Sequence, residues 1–509
     1  MPKLTLSMIV KNEEKLIRES LASAKEIVDE IVLVDTGSSD NTVKIAEEYG
    51  AKVFNYEWVN DFSAARNFAL GKSTGDWIIY LDADERLDYY AIAEIRKLIE
   101  NNSSAAYYCT VKSDDYEGIR DNSIRYLRLF ANSREIKFTG RVNEEIESSL
   151  IKNRYQLFNS NILIHHVGFN ISAEETRKRA FRNLSILNEE YEKNKSAYYA
   201  FYMARSYNLL NAKEEAFKYF KIAGESVGLD RSLRSQCFSS MSLTAHHDNK
   251  IVDAEKYIQF SLKLDDRQPY AQLIASKIAS RRGDYLTAEV RCRGAHQLNQ
   301  SMLFGREQSK LAILLNSEEV IYFGLTLALQ NKNATNINYY QKELSTYYNR
   351  TENENGITKL IVIQKLFSNA PLNPNEEKMF VNMANRHTMN LFMYLLISNP
   401  NKQQVYKLAN DLLQKYPDAV EIKKILARLL DDFGKLDEAI QLLESIVEKD
   451  QYDSTILFYL ISFYLRKGTD WKIKVTLAKL EKNYSHLPEV MERVRKLRRK
   501  LLMLTNVPI

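Results

Sequence analysis

Apolar positions in the first third of the chain follow two alternating rhythms. LTLSMIV (4–10) is nearly continuous in apolar residues and predicts a strand, while EEKLIRESLASAKEI (13–27) repeats its apolar positions at helical spacing. EIVLVD (30–35) predicts a second strand. NTVKIAEEYG (41–50) predicts a helix stopped by Gly50. AKVFNY (51–56), DFSAARNFALGKS (61–73) and WIIYLD (77–82) continue as strand, helix and strand. Strands apolar on both faces and separated by helices predict a parallel sheet covered on both sides, an α/β domain. AAYYCTVK (105–112) and SIRYLRLFA (123–131) alternate more with polar residues, which predicts antiparallel strands at the sheet edge.

From Ser172 onward the strand rhythm nearly vanishes and a longer period replaces it. Ala204, Tyr207, Ala216, Phe220 and Ala223 have the small–aromatic–small spacing of a tetratricopeptide unit. Ala254 and Ala288 open the second helix of similar units and stand 34 residues apart, the period of that repeat. Ala427 and Ala439 mark another unit around FGKLDEAIQLL (433–443). Small residues belong where paired helices pack closely. The pattern is weak from about 300 to 420, where RTENENGIT (350–358) and SNAPLNPNEE (368–377) read as loops. The expected domains are therefore 1–171 and 172–509. Such repeats form a plain scaffold or a concave surface that holds a peptide or another subunit, including a second copy of the chain.

At 509 residues the chain exceeds one core, and its 45% hydrophobic content is that of an ordinary globular protein. The 71 basic and 66 acidic residues nearly cancel, so charge gives no general case for nucleic acid. The N-terminus turns polar after Val10 and lacks the apolar core of a signal peptide. The longest apolar runs, such as LFMYLLI (391–397), fall short of the ~18 residues of a spanning helix. We expect a cytoplasmic protein with no transmembrane segment. Cys109, Cys237 and Cys292 are far apart, with neither disulfide nor metal spacing.

Ligands of open α/β sheets bind beyond the carboxyl ends of the strands. Three strands here end in polar groups: KNEE (11–14), DTGSSDNT (35–42) and DADE (82–85). Three acids where a buried strand surfaces need either solvent or a positive partner. Together SMIVKNEE, EIVLVDTGSSDNT, DFSAARNFAL and GDWIIYLDADE, in this order and spacing, resemble the motifs of family 2 glycosyltransferases with the GT-A fold, over roughly residues 1–170. The resemblance implies a GT-A (Rossmann-like) α/β domain followed by an all-α tetratricopeptide-like repeat domain. It further implies a UDP-sugar donor whose diphosphate is bridged by Mg²⁺ or Mn²⁺. Asp84 is then a metal ligand, and Asp82 contacts the ribose or the metal shell. Val10, Asn12, Glu13, Asp35, Gly37, Arg66, Asp82 and Ala83 fall in the nucleotide-sugar pocket. Some bland readings stay open. Asp35 also suits a turn cap, Asn12 and Glu13 a helix start, and Arg66 an ion pair with Asp61 or Asp76.

YLRLFANSREIKFTGRVNEEI (126–146) resembles the family's basic–Leu–Phe strand followed by F-x-G-x-V-H-E, with Asn143 in place of the His. An inverting transfer needs a carboxylate to take the acceptor's proton. Glu144 holds that place in the pattern, with Glu145 as its alternative; both also suit a solvated loop. ILIHHVGF (162–169) resembles the segment that closes the catalytic domain, so His166 is a candidate third metal ligand. The basic run RKRAFRN (177–183) either holds phosphate or is a solvated helix face, and we favour the latter.

A family 2 domain joined to repeats resembles the glycosyltransferases that modify bacteriocin peptides, the sublancin S-glycosyltransferase type. That implies transfer of a hexose to a Ser, Thr or Cys side chain of a peptide or protein. Alternatives are a lipopolysaccharide or other cell-envelope glycan acceptor, or a non-enzymatic adaptor built on the repeats. In EVMERVRKLRRKLLML (489–504), Val490, Val494, Leu497, Leu501 and Leu504 form a stripe that either caps the repeat stack or lies on an anionic bilayer.

Overall fold

The computed structural model describes residues 2–100, 104–114, 121–167, 173–303, 311–350, 354–385, 387–448, 453–485 and 487–505. The chain divides into two compact units, Met1–Ala334 and Thr335–Ile509.

The first unit is built on one sheet. Strands β1 (Leu4–Val10), β2 (Glu30–Asp35), β3 (Lys52–Asn55) and β4 (Trp77–Tyr80) are all parallel, in the order β3-β2-β1-β4. Helices α1 (Ile17–Ala24), α2 (Thr42–Glu48) and α3 (Phe62–Lys72) connect them. Alternate side chains of β4 show why its run is apolar throughout. Trp77 and Ile79 join the core formed by Leu4, Leu6 and Ile17, whereas Ile78 and Tyr80 join Phe130 and Phe138 on the opposite face.

Beyond β4 the sheet continues through β5 (Glu85–Leu87), β6 (Ala105–Asp114), β7 (Asp121–Ala131) and β8 (Gln156–His166), in the order β4-β7-β6-β8-β5. β7 is antiparallel to β4 and β6, as expected. The two are not edge strands, however, because β8 and β5 lie outside them. Helices α4 (Ala91–Ile99) and α5 (Glu147–Lys152) complete this part.

Helices follow from α6 (Ala173–Lys193) through α7 (Ala197–Leu209), α8 (Lys213–Glu225), α9 (Arg231–His247), α10 (Ile251–Leu264), α11 (Pro269–Arg281) and α12 (Tyr285–Leu303) to α13 (Ser317–Gln330). Ala204, Ala216 and Ala223 are buried with Phe220 where α7 and α8 meet, and Tyr207 stacks on Tyr219. The repeat is also visible in a hydrogen bond. Ser242 Oγ donates to the Ala254 carbonyl at 2.7 Å, and Ser276 Oγ donates to the Ala288 carbonyl at 2.5 Å, one 34-residue period later. A short strand, β9 (Leu311–Ile313), returns to pair with β7. Three residues are too few to reveal a period, so the sequence did not disclose it. The change of texture expected at 171/172 thus falls inside one compact unit.

The second unit contains α14 (Ala334–Arg350), α15 (Glu354–Phe367), α16 (Pro374–Met383), α17 (Met389–Ser398), α18 (Lys402–Lys415), α19 (Val420–Asp432), α20 (Leu436–Val447), α21 (Ser454–Lys467), α22 (Asp470–Tyr484) and α23 (Pro488–Thr505). Residues 354–358, expected as loop, already belong to α15; 351–353 lie outside the described residues. The second expected loop ends at Asn373. Its side chain caps α16 while Glu376 reaches back to the Asn373 N–H, and Pro374 fills the first helical turn. Val494 and Leu501 of α23 are buried, with Val490 and Leu497 packed on the same core as Leu477 and Leu480. These four positions of the stripe therefore close a helical stack, which removes the bilayer reading for them; the side chain of Leu504 lies outside the described residues. Among the described residues no helix is long and apolar enough to cross a membrane.

Candidate active site

The parallel strands bring their carboxyl ends to one rim, where a cavity of 1540 Å³ opens within the first unit. Val10, Asn12, Glu13, Asp82, Ala83 and Asp84 line it, as do Arg66, Glu144, Glu145 and His166. Local structure explains how they meet. Asp82–Glu85 is a tight turn in which the Glu85 N–H donates to the Asp82 carbonyl at 3.0 Å, and the Asp82 N–H donates to Glu85 Oε2 at 2.9 Å. The turn moves the chain from β4 to β5 on the far edge. Glu85 there faces His166 of β8 in register, and the Val167 N–H donates to the Asp84 carbonyl. Strand pairing therefore sets His166 Nε2 3.3 Å from Asp84 Oδ2. On the other side Ser113 of β6, also opposite His166, holds Nδ1 at 2.9 Å. Burial alone lowers the His166 pKa; its hydrogen bond to Asp84, with the charges of Asp84, Glu85 and Asp82, outweighs it and raises it above 6.5. Gly168 and Phe169, which complete the sequence pattern, lie outside the described residues.

A second cluster sits beside this pair. Asp61 caps α3 by accepting the Ala64 N–H at 2.9 Å, and Asp76 accepts the Lys3 N–H, so neither meets Arg66. Arg66 instead donates from Nη2 to Asp82 Oδ1 at 2.6 Å and from Nε to Glu144 Oε1 at 2.5 Å. Glu144 is delivered by a turn that needs left-handed backbone at Gly140 (φ 94°) and Asn143 (φ 53°). Val142 anchors that turn among Leu184, Leu187 and Met203. The solvated-loop reading of Glu144 therefore fails, since its side chain is only 13% exposed. The Glu145 carboxylate is committed elsewhere, accepting from Thr139 Oγ1 at 3.0 Å and from the Ser148 N–H at 2.9 Å.

Two candidates are not brought to the cavity. The Asp35 carboxylate accepts the N–H groups of Gly37 (3.2 Å) and Ser38 (3.0 Å), and the wall beside it is Thr36. Geometry thus gives Asp35 and Gly37 to a turn, the alternative that the sequence left open. Asn12 takes left-handed backbone (φ 56°) and its Oδ1 accepts the Ser39 N–H, so it locks that turn as well as lining the cavity. The Leu16 and Ile17 N–H groups donate to the Glu13 carbonyl, so Glu13 both starts α1 and lines the cavity. Burial, then the nearby Asp84, push its carboxyl up to about 7.

Sequence reasoning missed Arg128 and Glu85. Tyr107 and Tyr108 of β6 pair with Leu129 and Leu127 of β7, which leaves Arg128 as the extra residue of a β-bulge. The bulge aims it into the core, where Nη2 reaches Glu85 Oε1 at 2.6 Å and Asp82 Oδ2 at 3.5 Å. Its guanidinium lies 4.3 Å from the Tyr80 ring centroid, and that of Arg66 lies 4.9 Å from the same ring. A basic residue inside an otherwise apolar strand, YLRLFA, was the available signal. Burial alone would raise the Asp82 pKa; the two guanidiniums outweigh it and hold it well below the carboxylate range. The basic run of α6 was also misjudged, because Arg179 and Arg182 face the cavity rather than solvent alone.

A small divalent cation takes one or two carboxylates and completes its shell with phosphate and water oxygens. The 3.3 Å between Asp84 Oδ2 and His166 Nε2 is near the ~3 Å edge of an octahedron with ~2.1 Å bonds, so this pair fits. Asp82 does not join it, since both of its oxygens face guanidiniums. Among the described residues no three His, Cys, Asp or Glu side chains form a ready cage.

The family profile "Glycosyl transferase family 2" matches residues 5–166, which span strands β1 to β8 of this sheet and both clusters. This N-terminal part is a family 2 glycosyl transferase domain. A TPR repeat-containing protein from Synechococcus elongatus is 38% identical over 188 residues, covering 36% of this chain and 46% of that protein. The SPbeta prophage-derived glycosyltransferase SunS from Bacillus subtilis is 31% identical over 227 residues, covering 43% and 53%. The chain thus spans about half the length of the curated relatives it matches. Among solved structures, a tetratricopeptide repeat protein from Parabacteroides merdae aligns at 12% identity over 60% of this chain and 99% of that one, with a TM-score of 0.39. So loose a likeness carries no argument about the family 2 domain or its chemistry.

Proposed function

We propose that the protein is an inverting glycosyltransferase that uses Mg²⁺ or Mn²⁺ and moves a hexose from a UDP-sugar to a Ser, Thr or Cys side chain of a peptide or protein. One observation carries the reading: the Asp84–His166 pair and Glu144 open on the same cavity of a family 2 domain. A match to a relative named as a glycosyltransferase supports transfer, and the joined repeats support a polypeptide acceptor.

Asp84 and His166 would hold the cation, which when bound offsets charge on a departing diphosphate. Ser113 keeps the His166 ring turned toward Asp84. Glu144 accepts the proton of the acceptor hydroxyl or thiol as that atom attacks the anomeric carbon. The new bond forms on one face while the bond to the β-phosphate oxygen breaks on the other, its electron pair leaving with UDP. Arg66 keeps Glu144 aimed, and through Asp82 ties that base to the donor side. Val10, Asn12 and Thr36 form the wall nearest the end of β2, where the nucleoside fits.

Calorimetric titration of UDP with and without Mn²⁺ tests donor use, and mass spectrometry of peptides incubated with UDP-hexoses tests transfer. We expect metal-dependent UDP binding and a gain of one hexose mass on a peptide. No UDP binding in the presence of metal ends the reading, and transfer to glycans alone changes the acceptor class. Glu144→Gln should lower turnover by on the order of 10²–10⁴-fold and spare UDP binding. If Glu145→Gln is the silent variant instead, the base lies one position on.

A further inference from the structure

Helix α6 contributes charge to the cavity from outside the family 2 match. Arg179 Nη1 lies 3.6 Å from Asp84 Oδ2, a Coulombic contact beyond good hydrogen-bond length. Arg182 rests its guanidinium 5.2 Å from the Phe62 ring centroid, and its Nε and Nη2 reach only the neutral Asn183 Oδ1, each at 3.2 Å, among the hydrogen bonds of the described residues. Lys178 is engaged by Glu174 at 2.8 Å. Two guanidiniums therefore sit at the donor-side wall, one turn apart, with no carboxylate in bidentate contact among the described residues. Burial and the like charge of Arg179 both lower the Arg182 pKa, with Glu13 opposing them. An anion between the two would relieve that repulsion.

Their helix is not a loose arm. Arg141, in the turn that delivers Glu144, donates from Nη1 to Glu189 at 2.7 Å and to Glu190 at 3.1 Å. Leu184 and Leu187 grip Val142 of the same turn, and Tyr198 of α7 donates its hydroxyl to the Asn143 carbonyl at 2.7 Å. The basic face is thus presented at a fixed place beside Asp84.

We propose that Arg179 and Arg182 clamp the diphosphate of the donor, so that the first helix after the family 2 domain completes the nucleotide-sugar site. The proposal rests on the glycosyltransferase reading above. A guanidinium fork matches phosphate oxygens in pairs, and any anion that reaches the Asp84–His166 pair comes within reach of Arg179.

The test compares UDP with uridine, which shares the base and ribose but lacks phosphate, by calorimetry on the full chain with and without Mn²⁺. Arg179→Ala should weaken UDP about tenfold or more and the Arg179→Ala/Arg182→Ala pair about a hundredfold, with uridine unchanged. Arg179→Lys should recover part of the loss. The salt dependence of UDP binding should become shallower in both alanine variants. Equal loss for UDP and uridine would reduce the arginines to structural partners of Asp84. Wild-type affinity for UDP in the double variant would dismiss the clamp and leave the donor reading standing. A wild-type chain that binds neither compound would remove that reading, and the clamp with it. Both side chains reach the surface, and matching thermal melts would confirm folded variants.

Discussion

Arg66, Asp82, Glu85, Arg128 and Glu144 interlock at the rim of the sheet, whereas the paired helices of the repeats meet across alanines and serine hydroxyls. Both regions are well packed, yet among the described residues only the rim buries both partners of an ion pair. Glu85 and Arg128 are almost fully buried. In the repeats, pairs such as Lys472–Glu444 and Arg466–Asp431 stay partly exposed. Taking a charge out of water costs several kcal/mol even after relaxation, and a buried pair often does no better than well-packed apolar residues of the same volume. Exposed pairs are worth about 0–1 kcal/mol. The repeats follow the cheaper course, with small residues where helices cross. The rim does not, and the difference says where the fold gives up stability for a site that can handle charge.

The sharpest way to break this comparison is to remove a charge from each region. Asp84→Ala should lower transfer on the order of 10³-fold, because the cation proposed for this carboxylate would supply several kcal/mol of charge stabilisation. The fold should persist, as circular dichroism would show. Lys472→Ala in the second unit should leave transfer unchanged and stability within about 1 kcal/mol. Full turnover in Asp84→Ala would take the chemistry away from this rim.

Next in size is Arg128→Met. The substitution strands the buried Glu85 carboxylate, at a cost of about 3–5 kcal/mol, while Asp82 keeps Arg66. Urea unfolding followed by tryptophan fluorescence would read it, since Trp77 lies in the neighbouring strand, buried. Glu85→Gln added to the same chain should return part of the loss. If the double variant is no better than the single one, the bulge residue stabilises the sheet by packing and not by neutralising Glu85.

Much of this architecture was legible because it rests on local patterns. The runs 4–10, 30–35 and 77–82 are apolar on both faces, and β1, β2 and β4 are central parallel strands. The 34-residue spacing of Ala254 and Ala288 marks equivalent places in successive helix pairs. What stayed hidden depends on long-range pairing. The contact of His166 with Asp84 follows from the β5–β8 register, and the aim of Arg128 follows from one extra residue opposite Tyr107 and Tyr108. The direction of the α6 arginines depends on how Val142 seats between helices. Asp35 shows the reverse limit. Its place in a motif suggested a ligand contact, but the N–H groups of its own turn take its oxygens.

The repeat side of the comparison can be sharpened with a neutral change. Ala288 is fully buried where α11 and α12 cross, and Ala288→Leu should cost about 1–3 kcal/mol through overpacking. The same substitution at Glu255, which is half-exposed and paired with Arg282, should cost far less. Urea midpoints of the two variants would separate these outcomes. Equal midpoints would mean that the helix crossing has slack, and the small-residue reading of the period would lose its physical basis.

The smallest effect turns on sign. Burial and Asp84 raise Glu13 from its ordinary 4.5 to about 7, so between these values the folded chain holds a proton that the unfolded chain has lost. Raising pH through that window therefore destabilises the fold, and Glu13→Gln should gain melting temperature over wild type as pH rises from 5 to 8, with little gain at the acid end. Glu444 in the repeats behaves oppositely. Burial pushes it up, but hydrogen bonds from Lys472 and Tyr464 outweigh that and lower its pKa. Its contribution is present above pH 4.5 and lost as pH falls through its folded pKa, so Glu444→Gln should lose melting temperature at neutral pH and recover in acid. Melting curves of the two variants from pH 3 to pH 8 should part from wild type at opposite ends, Glu13→Gln by its gain above pH 5 and Glu444→Gln by recovery of its loss below pH 4.5. Parallel curves would show that the rim holds its carboxylates no differently from the repeats.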